Sequence, residues 1–269
     1  MNQKLIAIDL DGTTLNANSE LTQETIDTLH AVQKLGHKVA IVTGRPYRSS
    51  KEIYNQLNLG GPIVNFNGAL CHIPSKPEWD GRYHITLDTD LVLDLVAFNK
   101  TLPVDYLMVE GTELMYSNIT ELPDCPYYPK DQKPLLIHPT TKLKEKPTAV
   151  ALFSDLELQS EIKKKILHRY NNGIEVRTWG GSYPCLEVIT SGIHKAKAVE
   201  HLSRYYDIHQ KDILAFGDED NDMEMIQYAG HGVAMQNGID ELKNVANAIT
   251  PFTNDQNGLA KYLQDYFKL

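Results

Sequence analysis

Residues 4–13 read Lys-Leu-Ile-Ala-Ile-Asp-Leu-Asp-Gly-Thr. A short unbroken apolar run of this kind predicts a strand covered on both faces, the habit of parallel sheets. Two acids, Asp9 and Asp11, close the run, and Gly12 turns the chain away. Downstream, Thr22 is placed as an N-cap, and Leu21 and Ile26 are spaced as a hydrophobic staple. Ile26, Leu29, Val32 and Leu35 recur at helical spacing until Gly36. Residues 38–43 form a second buried strand, residues 48–57 a helix and residues 62–66 a third strand. Strand, helix, strand, helix, strand makes parallel crossovers, and so a doubly wound, Rossmann-like α/β sheet.

The last third repeats the rhythm, with helices near 194–206, 222–229 and 240–247, strands at 212–216 and 232–235, and a closing helix. Residues 82–190 break it. Pro123, Pro126, Pro129, Pro134, Pro139 and Pro147 punctuate this stretch. Strand-like runs at 106–110, 149–153, 175–178 and 186–189 alternate with helices near 90–100 and 155–170. The expectation is a parallel-sheet core made of residues 1–81 and 191–269, with an α/β domain of residues 82–190 inserted into it. The two connections then lie side by side and can act as a hinge.

Bulk properties narrow the function. The 269 residues carry a formal net charge of −9, which argues against a nucleic-acid partner, since phosphate-backbone binding needs clustered Lys and Arg. Cys71, Cys125 and Cys185 are scattered and odd in number, which points away from a disulfide framework or zinc site. No leader pattern and no membrane-length apolar run is seen, so a cytoplasmic protein is expected. The oligomeric state is not legible.

Four clusters carry chemistry. Asp9 and Asp11 sit at a strand end, where open α/β sheets bind ligands; a plain polar turn or a calcium loop is the bland alternative. Val42-Thr43-Gly44-Arg45 ends the second strand, and a hydroxyl with a backbone N–H there suits a phosphoryl oxygen. Gly217-Asp218-Glu219-Asp220-Asn221-Asp222 follows another apolar run, and hard oxygen ligands of this kind suit magnesium; a solvated acidic loop is the alternative. Lys195 opens a helix against the dipole, with Lys197 and His194 as competitors for any binding role.

In the order Asp-x-Asp, Thr, Lys, acidic cluster, the chain resembles the haloacid dehalogenase (HAD) superfamily. More narrowly it is similar to the Cof-type phosphatases, which carry a large cap of type IIB between the Thr and Lys motifs. Residues 65–69 (NFNGA), the spacing of Gly217, Asp218, Asn221, Asp222 and Met225, and residues 232–237 (GVAMQN) fit that resemblance. Ala196 and Glu219 depart from it, since glycine is the family's habit at both places.

The resemblance implies Asp9 as nucleophile and Asp11 as acid and base. It implies Thr43, Gly44 and Lys195 on the phosphoryl group. Mg2+ would be held by Asp9, Asp218 and the carbonyl of Asp11, with Asn221 and Asp222 orienting its waters. It also implies a small phosphate ester as substrate. Arg45 and Asn67 on the core side, and Arg177, Tyr183 and Glu187 in the cap, are candidates for reading the leaving group. A phosphotransferase or phosphomutase, or a phosphate-binding regulator without turnover, are the rivals.

Overall fold

The computed structural model of the chain describes residues 2–123, 133–170, 173–179 and 183–269. Pro126, Pro129 and Cys125 lie outside the described residues. Two compact units emerge, one of Met1–Arg45, Ser50–His84 and His194–Leu269, the other of Pro46–Ser49 and Ile85–Ile193.

The first unit begins with β1 (Leu5–Ile8), whose four residues are all buried. Helix α1 (Gln23–Lys34) starts where Thr22 accepts the Thr25 N–H, at 3.2 Å. It stops before Gly36, whose φ of +91° a side chain would resist. Strand β2 (Lys38–Val42), helix α2 (Tyr47–Leu57) and strand β3 (Ile63–Asn65) follow. The chain then doubles back into β4 (Leu70–His72) and β5 (Tyr83–His84), both antiparallel. These two strands were not expected, and β5 extends this unit past residue 81.

The second unit holds α3 (Thr89–Phe98), β6 (Tyr106–Glu110), β7 (Met115–Ser117), β8 (Leu135–Leu136), β9 (Ala149–Phe153), α4 (Leu156–Arg169), β10 (Ile174–Trp179) and β11 (Cys185–Thr190). Its sheet runs β10-β11-β9-β6-β7-β8. Leu107, Val109, Val150, Leu152, Leu186 and Val188 line one face. They form one apolar core with Val92 and Leu95 of α3 and Ile162 and Ile166 of α4. Alternate residues point the other way, among them Tyr106 and Phe153, whose rings stack at 4.4 Å. Thr190 donates to the Thr86 carbonyl at 3.2 Å, which sets the first and last segments of this unit side by side.

The chain completes the first unit with α5 (Lys195–Tyr205), β12 (Ile213–Gly217), α6 (Met223–Tyr228), β13 (His231–Ala234), α7 (Asp240–Val245), β14 (Ala248–Ile249) and α8 (Gly258–Phe267). The sheet order is β14-β13-β12-β1-β2-β3-β4-β5. The six strands from β14 to β3 are parallel, so β1, β2 and β12 deliver their carboxyl ends to the same edge. Among the described residues no helix is long and apolar enough to cross a membrane.

Under that edge lies His72, 8% exposed. Burial, helped by Arg82 and His84, lowers its pKa to about 4 from an ordinary 6.5. The folded protein therefore binds fewer protons here than the unfolded chain. The His72 contribution is complete above pH 6.5 and is lost as pH falls toward 4, by up to about 3 kcal/mol. His72→Asn is expected to flatten the acid limb of stability over that window, read from urea midpoints at successive pH values.

Candidate active site

Past β1 the chain bends sharply. The Thr14 hydroxyl donates to the Asp9 carbonyl and Leu15 N–H to the Leu10 carbonyl, the latter at 2.9 Å. This turn leaves the Asp9 side chain buried. Lys195, the first residue of α5, is 0% exposed, and its Nζ donates to Asp9 Oδ1 at 2.6 Å and to Asp222 Oδ1 at 2.7 Å. Lys197, two residues on, is exposed, so of the two lysines it is Lys195 that lies among the carboxylates. Asp218, just after β12, accepts from Thr13 Oγ1 at 2.8 Å. The other oxygen of Asp222 accepts the Asp218 and Glu219 N–H groups, at 3.0 and 3.2 Å.

Oxygens of Asp9, Asp218 and Asp222 thus lie within 4.8 Å of one another, all buried. Among the described residues one buried ammonium, Lys195, lies among these three carboxylates, bonded to Asp9 and Asp222. Burial raises Asp9 well above the usual carboxylate range; Lys195 opposes this, and Asp222, Asp218 and Asp11 add to it. Burial, with the Asp222 charge, lifts Asp218 to about 7. Burial also works against the Lys195 charge, but Asp222 and Asp9 outweigh it and hold the ammonium above its ordinary pKa. A surplus of buried negative charge on hard oxygen atoms fits a metal cation.

The neighbouring groups arrive from β2 and β3. Thr43 is buried; its hydroxyl accepts Arg45 N–H and its carbonyl accepts Asn67 N–H, each at 3.1 Å. A Cβ on Gly44 would come within 3.1 Å of Asn67 Oδ1 and 3.5 Å of Asn221 Nδ2. Asn221 in turn donates to Asn67 at 3.0 Å. Asp11 stands apart from the carboxylate cluster, 53% exposed, with its carboxylate on the Arg45 guanidinium. In the second unit, Arg177 and Glu187 are paired across β10 and β11. Burial raises Glu187, against the Arg177 charge and a 3.2 Å bond from Trp179.

Sequence reasoning missed Thr13, which holds Asp218, and Asn237, which donates to the Gly12 carbonyl at 2.8 Å. Both lie inside motifs already quoted, but nothing in their residue type announces a partner roughly two hundred positions away. Gly12 has φ +68°, and a Cβ there would sit 2.0 Å from Asp218 Oδ2. Gly12→Ala is expected to cost roughly 1–3 kcal/mol. It should also displace Asp218 from the carboxylate cluster, so a divalent cation that raises the melting temperature of the parent protein is expected to raise that of the variant less, as scanning fluorimetry with and without the ion would show.

Comparison with known proteins identifies the family. The sequence profile of the haloacid dehalogenase-like hydrolases matches residues 6–263. The 5-amino-6-(5-phospho-D-ribitylamino)uracil phosphatase YitU of Bacillus subtilis is 38% identical over 266 residues, covering 98% of each chain. Two solved structures share the fold. A haloacid dehalogenase-like hydrolase from Bacteroides thetaiotaomicron superposes with a TM-score of 0.83 at 23% identity, covering 99% of this chain and 100% of its own. The HAD subclass IIB sugar phosphatase BT4131 gives 0.80 at 22% identity, with the same coverage. The chain belongs to the haloacid dehalogenase-like hydrolases and, within them, to the Cof-type phosphatases.

Proposed function

We propose that the protein hydrolyses small phosphorylated metabolites in the cytoplasm with magnesium, through a phosphoryl group carried on Asp9. The observation that carries this reading is Lys195 bridging Asp9 and Asp222 inside the buried carboxylate cluster. A structural ion pair needs one acid, and three buried acids on one base are costly without a cation to meet them.

Asp9 would attack phosphorus as the bond to the leaving oxygen breaks. Asp11 would give its proton to that oxygen, then take one from the water that attacks the phosphoryl-Asp9. The Thr43 hydroxyl, the Gly44 N–H and Lys195 would hold the phosphoryl oxygens. Magnesium, held by Asp9, Asp218 and the Asp11 carbonyl, would neutralise charge on phosphate and carboxylates. Asp222, with Asn221, would orient its bound waters. The inserted stretch of the second unit, Ile85–Ile193, is proposed as the specificity cap, with Arg177, Tyr183 and Glu187 reading the leaving group, aided by Asn67 of the core.

The name of the Bacillus subtilis relative suggests a ribityl phosphate on a pyrimidine as the first substrate to try. Phosphate release from that compound, from sugar phosphates and from nucleotides is to be ranked by kcat/KM in magnesium and in EDTA, without an acceptor alcohol. Magnesium-dependent release is expected from at least one ester. No release from any of them, or release that appears only when an acceptor is added, would overturn hydrolysis.

A further inference from the structure

Arg45 meets Asp11 side-on, with Nε donating to Oδ2 at 2.7 Å and Nη2 to Oδ1. Two-point contact fixes the plane of a carboxylate as well as its position, which a lysine ammonium does not. Asp11 is half in solvent and would otherwise sample several rotamers.

Arg45 is itself held from behind. Its N–H goes to Thr43 Oγ1, and its carbonyl accepts Asn65 Nδ2 at 2.9 Å and Phe66 N–H at 3.3 Å. Asn65 is fully buried. Its amide also donates to Ser50 Oγ at 2.9 Å, so its Oδ1 is left to accept. His72 Nε2 lies 3.2 Å from that oxygen and must be the donor. A neutral imidazole protonated on Nε2 meets the requirement, in keeping with its low pKa. One chain of hydrogen bonds therefore runs from the β3–β4 return to the acid at the mouth of the site.

The geometry points to Arg45 as the positioning residue of Asp11, with Asn65 as the buried anchor that keeps the Arg45 main chain in place. This rests on the reading of Asp11 as acid and base. A proton donor misplaced by an ångström loses much of its effect, so the chain gives the buried Asn65 and His72 a part in placing Asp11.

The test is the dependence of kcat/KM on the leaving group, from p-nitrophenyl phosphate, whose phenolate departs unaided, to simple alkyl phosphates, whose alkoxide needs a proton. This parameter reports transfer to Asp9 and not the later hydrolysis. Arg45→Met is expected to lose about 10- to 100-fold on alkyl phosphates and under about threefold on p-nitrophenyl phosphate, with KM nearly unchanged. Arg45→Lys should recover part of the loss, and Asn65→Asp should show the same pattern more weakly. If Asn65→Asp does not fold, the Arg45 pair still decides. Equal losses across the series, carried by KM, would make Arg45 a substrate-binding residue and overturn the inference. Asp11→Asn separates the two readings. If its series is steep and that of Arg45→Met is flat, this inference alone fails; if its series is flat, the acid–base reading fails with it.

Discussion

Asp9→Asn is expected to give a folded protein with no measurable turnover, a loss of roughly 10⁵-fold or more. An amide has the shape of the carboxylate but cannot attack phosphorus, so no parallel route remains. The fold should tolerate the change. Burial disfavours the Asp9 charge, and Asp222, Asp218 and Asp11 crowd it further. Removing one of three buried carboxylates leaves Lys195 with Asp222 at 2.7 Å. The melting temperature without metal should therefore hold or rise, while the shift on adding magnesium shrinks. Phosphate release and scanning fluorimetry on the same preparation check both halves; a folded variant that still turns over would remove Asp9 from the mechanism.

Lys195→Met should be damaging in two ways at once. With Lys195 in its proposed place on the phosphoryl oxygens, its loss is expected to cost on the order of 10²–10³ in rate. It also leaves Asp9, Asp218 and Asp222 buried with no counter-charge, and stripping one side of a buried ion pair typically costs about 3–5 kcal/mol. Chemical denaturation should show that loss in EDTA and a partial recovery in magnesium, because a cation bound by the folded state alone stabilises it. Lys197→Met, on the exposed side of the same helix, should do neither. Equal stability of the two variants in EDTA would mean that the carboxylates do not depend on Lys195.

Much of this was legible in the chain because strand ends and motifs are local. The apolar run at residues 4–8 is β1, and the acids that follow it lie at the edge where β12 brings Asp218. The strands at 106–110 and 149–153 are apolar over four or five consecutive residues and can be read directly. By contrast β4, β5, β7, β8 and β14 are two or three residues long. No periodicity can show in so few positions, and their pairing is decided by neighbours already in place. Lys195 and Lys197 look alike in sequence, yet two residues turn a helix by roughly 200°, so one is sealed in and the other solvated. Asn65 was legible only as part of a resemblance. Its role depends on an arginine carbonyl and a histidine that the antiparallel return brings to it.

The pairing of Leu5 with Ile213 has a consequence for synthesis on the ribosome. The first strand made is a central one, and one of its neighbours is encoded roughly two hundred residues later, a wait of about 10–40 s at ordinary translation speed. During that interval an apolar edge stands open and Asp9 has neither Lys195 nor Asp218 and Asp222 beside it. Until the region encoding β12 has left the exit tunnel β1 lacks that neighbour, and an unpaired apolar strand edge is the kind of surface that favours aggregation during synthesis.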